Sequence, residues 1–161
     1  MSCPIIYLTV DQIKELHAEA LTLGGVDGLR SEHLLASAVF QPQQSAFGED
    51  AHPTIPEKAA AYGFFIAENQ PFLDGNKRTG ELALATFLDL NGYELIEEED
   101  AIAQMFLDLG AGVIGQEELF AWVCNRAKPS GEQSNVIPIR KDGQSPVRGE
   151  PLLFFSIARS D

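Results

Sequence analysis

The stretch KAAAYGFFIAEN, residues 58–69, is apolar nearly all round. A helix of that character is stable only when other elements cover it, so it must be the central helix of whatever fold the chain adopts. Thr54 and Glu57 stand ahead of it at capping-box spacing, Pro56 is tolerated in a first turn, and Pro71 breaks the pattern. The spacing therefore predicts a buried helix ending at about Asn69, followed by a tight loop, QPFLDG, and a second helix from about Asn76 through KRTGELALATFLDL. Asn91-Gly92 is a strong stop for that second helix.

The remaining periodicity is also helical. Thr9 and Gln12 form a second capping-box pair, with Ile13, Leu16, Ala20 and Leu23 behind them at helical intervals, which predicts a helix over about 10–23. Ser31 is placed to cap a helix carrying Leu34, Leu35, Ala38 and Val39, which Pro42 stops. EEEDAIAQMFLDL and QEELFAWVCNRA are two further amphipathic helices with carboxylates in the first turn, where the helix dipole favours them. On that ground Glu97–Asp100 reads as a helix start, not a metal site. Between helices, QPQQSAFGEDAHP (41–53) is an irregular connection long enough to serve as a functional flap.

From about 127 the composition shifts to Pro, Gly, Ser and Gln, which divides the chain into a helical domain over 1–126 and an extension over 127–161. The extension ends in PLLFFSIARSD, whose apolar run is expected to dock on its own domain or on a partner. Cys3 and Cys124 have no CxxC or Cys/His spacing, so neither a disulfide framework nor a zinc site is indicated. No apolar run approaches the roughly 18 residues that span a bilayer, and the expectation is a cytoplasmic protein with no membrane partner.

The formal net charge is −13. That excludes a protein holding nucleic acid through its phosphate backbone, which needs clustered Lys and Arg. Residues 1–126 hold 6 Lys/Arg against 20 Asp/Glu, and two of those six bases, Lys77 and Arg78, are adjacent. In such an acidic field an adjacent basic pair needs a local reason, although a solvated surface pair is the simplest one. The loop preceding it supplies a chemical alternative. A buried helix, a tight turn and a second helix starting with Asn76, Lys77 and Arg78 aim free backbone N–H groups at one point, with the positive end of a helix dipole behind them. Gly75 lets a ligand approach the backbone, Asn76 offers an amide and Arg78 a forked guanidinium. Asp74, next to this anion hole, is placed to share a Mg²⁺ with bound phosphate. The pattern is not a Walker A loop, which needs GxxxxGK[ST] after a strand.

QPFLDGNKRT resembles the Fic-family loop motif, HPFxDGN[GK]R, and NKRT followed by FLDLNGYEL is similar to the death-on-curing (Doc) branch of that family. YLTVDQIKELHAEAL, GLRSEHLLASAVFQPQ and FGEDAHPTIPEKAAA resemble Doc-type toxins in the same order, so the likeness covers about residues 5–125. It implies the all-α Fido helical fold, with a central helix-loop-helix motif and a short flap. It also implies transfer of part of a nucleoside triphosphate onto a protein hydroxyl. In the Doc branch that is phosphorylation of a threonine on elongation factor Tu, which stops translation, with an antitoxin as neutralising partner. Carried over by position, Asp74 takes the Mg²⁺, and Gly75, Asn76, Lys77, Arg78 and Thr79 hold the ATP phosphates. Phe72 anchors the loop in the core, and the flap that positions the target chain falls within 45–53. Adenylyl-transferring members usually carry a second Arg three positions after the first; here that position is Glu81, whose charge would repel a phosphate and favours the Doc-like reading over AMP transfer.

One position departs. The family motif opens with the His that takes the proton from the attacking hydroxyl, and here it is Gln70. An amide has no basic lone pair near neutral pH, and loss of a general base lowers rate by about 10² to 10⁴. The expectation is a protein that binds nucleotide and transfers poorly. Three explanations compete: replacement by design in a toxic protein, a natural pseudoenzyme acting as a binding module, or another group serving as base. His52, in the flap, is the one remaining His with a path to the loop. His17 and His33 fall on the first two helices and read as structural, and Glu68, on the helix just before the loop, reads as solvated.

Overall fold

The computed structural model of the chain describes residues 4–130. Its element order is α1 (Val10–Ala20), α2 (Glu32–Phe40), β1 (Ser45–Ala46), β2 (Glu49–Asp50), α3 (Ile55–Asn69), α4 (Asn76–Leu90), β3 (Tyr93–Leu95), α5 (Glu99–Gly110), α6 (Gln116–Arg126) and β4 (Ala127–Pro129). Short 3-10 turns follow α1 and α2. The six helices sit where periodicity and capping place them. Thr9 and Gln12 form the expected capping box of α1, and the Ser31 hydroxyl accepts from Leu34 N–H at the start of α2. At α3 only half of the expected box forms: the Thr54 hydroxyl accepts from Glu57 N–H, while the Glu57 carboxylate turns to the Thr54 hydroxyl.

Helix α3 is the centre of the molecule, with Ala59, Ala60, Ala61, Tyr62 and Ile66 fully buried. Helices α1, α2, α4, α5 and α6 all pack on it or on its partner α4. The α3–α4 contact is the most extensive between helices among the described residues. A Cβ on Gly80 of α4 would lie 2.7 Å from the carbonyl oxygen of Gly63 on α3, and one on Gly63 would lie 2.9 Å from the Phe106 ring of α5. The two motif helices thus meet backbone to backbone, with α5 closing over the junction. The N-terminal segment is laced along this core: Tyr62 Oη accepts from Leu8 N–H at 2.8 Å, and the Asn91 amide bonds both N–H and C=O of Ile6.

Four short strands escaped the periodicity because each is two or three residues long. Strands β1 and β2 pair antiparallel as a hairpin within the 41–53 connection. Strands β3 and β4 pair antiparallel, Tyr93 opposite Pro129 and Leu95 opposite Ala127, and Ser130 N–H donates to Gly92 O. The packed chain therefore continues through Ser130, four residues past the composition change. The apolar run at 152–158, expected to dock, lies outside the described residues.

Because the α3–α4 contact leaves no room for a methyl group, Gly80→Ala should destabilise the chain by about 1–2 kcal/mol, the overpacking outweighing the gain in helix propensity. Urea denaturation measures this, and an unchanged midpoint would show that the helices can part without loss.

Candidate functional site

Six residues, 70–75, join α3 to α4, and nearly every polar group in them is spoken for. Gln70 caps α3 in the left-handed region (φ 49°, ψ 58°), its N–H donating to Ile66 O. A non-glycine residue there is strained, and His, Asn and Asp enter that region more readily than Gln. Gly75, at φ 79°, is the N-cap of α4, where glycine carries no such strain. Between them the Asn76 amide closes the turn on itself: its Oδ1 accepts from Phe72 N–H and its Nδ2 donates to Phe72 O, both at 2.9 Å. Phe72 is buried, as expected of the loop anchor.

Two neighbouring segments hold this loop from outside. The α1–α2 connection runs antiparallel to it: Leu29 bridges Phe72, Leu73 N–H donates to Gly28 O, and the N–H groups of Arg30 and Ser31 both donate to Pro71 O. The Arg30 guanidinium then reaches the end of α3, donating from Nε to Gln70 O and from Nη2 to Asn69 O, each at 2.7 Å. A cation on the carbonyl end of a helix is favourable for both hydrogen bonding and dipole. From the other side, buried His17 of α1 stacks on the Phe72 ring at 3.7 Å between centroids. Its Nε2 lies 2.8 Å from Asp74 O and must carry the proton, since a carbonyl only accepts. His17 is thus a satisfied structural histidine, as read; Arg30 was not foreseen, because an isolated Arg forty residues upstream carries no local signal.

Asp74 faces solvent with its carboxylate held between two backbone donors, Val26 N–H to Oδ2 at 3.1 Å and Gly75 N–H to Oδ1 at 2.8 Å. The Val26 and Gly75 hydrogen bonds pull its pKa below the usual carboxylate range, so it stays charged. Each oxygen keeps lone pairs for a further ligand. No cluster of three or more His, Cys, Asp or Glu able to hold a metal exists among the described residues. A cation here would therefore need phosphate oxygens and water to complete its shell, which is how Mg²⁺ is usually held.

The loop opens onto a cleft of about 480 Å³ lined by Ala67, Glu68, Gln70, Leu73, Asp74, Gly75, Asn76, Lys77 and Arg78, with Leu109, Gly110 and Gly112 from the end of α5 as the opposite wall. Lys77 and Arg78 are exposed, and no side chain caps the first turn of α4. Lys77 runs across the end of α5 so closely that a Cβ on Gly110 would overlap its Cε. The α5 wall was not anticipated either; in sequence LGAG is only a helix stop.

Several expectations are corrected. Thr79, expected among the phosphate ligands, is fully buried and its hydroxyl donates to Gly75 O at 2.7 Å, so it braces the loop and does not line the cleft. The Asn76 amide is engaged within the loop, which leaves its backbone N–H as the group facing the cleft. His52 packs near the rings of Phe120 and Phe65, at 5.3 and 6.5 Å, and is not part of the cleft wall. Glu68 is exposed, as read, and also lines the cleft.

Residues 7–88 match the family model described as Fic/DOC family. The chain belongs to the Fic/DOC family. Over 91 residues it is 40% identical to a protein named Toxin Doc from Mycolicibacterium smegmatis, an alignment covering 56% of this chain and 70% of that relative. The family match includes the whole 70–79 loop and stops before α5, so the Gly110 wall of the cleft lies outside it. Among the described residues no helix is long and apolar enough to cross a membrane.

Glu81, the residue standing where adenylyl-transferring members carry Arg, is half-buried and does not line the cleft. Burial pushes its carboxyl up to about 7 from the ordinary 4.5, the Arg78 guanidinium pulling the other way and Glu99 adding to the rise. A raised carboxyl favours the folded state while protonated, so stability is greatest below the unfolded value and falls as pH rises from about 4.5 to about 7. Glu81→Gln should remove that slope and stabilise the protein at pH 8 by on the order of 1–2 kcal/mol. Urea melts at pH 5 and 8 test it; parallel pH profiles for the two proteins would contradict it.

Proposed function

We propose that this chain is a Doc-like protein-hydroxyl transferase in which the 70–79 loop binds ATP with Mg²⁺. The reaction is transfer of a phosphoryl group to a threonine hydroxyl of a translation protein, with elongation factor Tu as the acceptor, and an antitoxin is the neutralising partner. The observation that carries this reading is the rigid loop itself. It presents the uncapped first turn of α4, Lys77, Arg78 and the charged Asp74 to one cleft, inside a protein of net charge −13. A polyanion is what such a local concentration of donors suits. The relative named Toxin Doc supports the toxin part of the reading.

The residues divide the work. Backbone N–H groups at Asn76–Arg78, with the Lys77 ammonium and Arg78 fork, orient the phosphates and take up charge as it shifts in the transfer. Asp74 supplies one carboxylate to Mg²⁺, whose chemistry is to neutralise phosphate charge. Gln70 stands where a base would take the hydroxyl proton and cannot do so. Phosphoryl transfer has a loose transition state that asks less of a base than of positioning, so the Gln70 protein keeps binding and a residue of rate.

Transfer of label from γ-labelled and, separately, α-labelled ATP to elongation factor Tu tests this with the protein and its Gln70→His variant side by side. The expected result is label from the γ position only, with Gln70→His faster by about 10² to 10⁴. Label from the α position would make it an AMP transferase. No label from either protein would overturn this reading, in favour of a catalytically silent binding module or of a different acceptor.

A further inference from the structure

Among the described residues the most deeply buried charge is not in the cleft. Lys58, in the first turns of α3, is fully buried. Its Nζ donates to Asp50 Oδ2 at 3.0 Å and to Pro42 O at 3.3 Å, and lies 5.7 Å from the centre of the Tyr7 ring. Pro42 stands in the turn just before β1, and Asp50 is the last residue of β2. One ammonium therefore ties both roots of the β1–β2 hairpin to the central helix. The other contacts at these roots are packing: Pro42 is buried and His52 lies near the Phe65 and Phe120 rings, while residues 45–50 are all exposed and the base is closed by one backbone bond, Ala51 N–H to Gln44 O at 2.8 Å. A hairpin with two residues per strand is not stable by itself in water, so its position is set where it is rooted. At its tip Phe47 (φ 55°) and Gly48 (φ 80°) make the tight turn, with the Phe47 side chain wholly in solvent.

A buried ammonium is a poor way to gain stability, since an apolar side chain of the same volume commonly serves as well or better. What it supplies is direction, because the hydrogen bonds to Asp50 and Pro42 have fixed geometry while apolar contact does not. We propose that Lys58 is a positioning residue: it sets the height and angle of the 45–50 hairpin so that the hairpin can register an extended acceptor chain carrying the target hydroxyl. The acceptor part of this rests on the transferase reading above; the clasp itself does not.

The test uses the full chain with Lys58→Met, which keeps the volume and removes the charge, and Asp50→Asn as a second variant whose side chain is half-exposed, so that folding does not hang on one substitution. Amide hydrogen exchange over residues 44–51 should speed up by about tenfold to a hundredfold, as loss of a charge-assisted bond implies. The urea midpoint of Lys58→Met should stay level or rise. In the Gln70→His background the KM for the acceptor protein should rise while ATP affinity stays as in the parent. Unchanged exchange over 44–51 in both variants overturns the clasp. Faster exchange with an unchanged acceptor KM overturns the positioning role, and a matching loss of ATP affinity shows a general structural role instead. If the Gln70→His parent transfers no label, the transferase reading falls with its acceptor role, while the exchange data still decide the clasp.

Discussion

Two helices that touch backbone to backbone at Gly63 and Gly80 must be joined within six residues, and most of what distinguishes this chain follows from that constraint. So short a connection has to reverse direction at once, and it does so with left-handed backbone at both ends, Gln70 and Gly75. It also cannot hide its polar groups in regular structure. They are satisfied by Asn76 from within, by residues 26–31 from one side and by His17 from the other. The helices' own close approach leaves the start of α4 pointing outward with its N–H groups free of any side-chain cap.

A site built this way is fixed before any ligand arrives. Catalytic power in phosphoryl transfer comes mainly from donors already aimed at the charge they must receive. Here the donors are mostly backbone, so they persist whatever stands at position 70. A Gln where the family motif has His changes the proton chemistry proposed for the loop and leaves the framework: the Gln70 N–H and C=O bond Ile66 and Arg30. In the proposed reaction the acceptor chain is served by a different device, the surface hairpin that the Lys58 ammonium ties to α3 through Asp50 and Pro42.

The helices were legible in the sequence because their signals are local. Apolar period, capping residues and stops at Asn91-Gly92 lie within a turn or two of what they specify. The motif loop was legible for the same reason, since the residues that shape it are contiguous. What escaped was the part made by residues distant in the chain. Arg30 acts on carbonyls forty positions later, Gly110 matters only because Lys77 crosses it, and Lys58 is hidden in a run of alanines that reads as plain helix. Thr79 and the Asn76 amide show the opposite error: motif membership suggested ligand contact for both, whereas the loop's own unsatisfied backbone groups had first claim on them.

If backbone donors and Arg78 form the proposed anion site, it binds ATP with Mg²⁺ without a histidine at position 70. Calorimetric titration of ATP with Mg²⁺ into the Gln70 protein, its Gln70→His variant and an Arg78→Ala variant tests it most directly. Equal affinity is expected for the first two and binding at least about tenfold weaker for Arg78→Ala, the loss expected of a charge-assisted hydrogen bond. Binding that appears only when His is restored would contradict it, as would an affinity indifferent to Arg78.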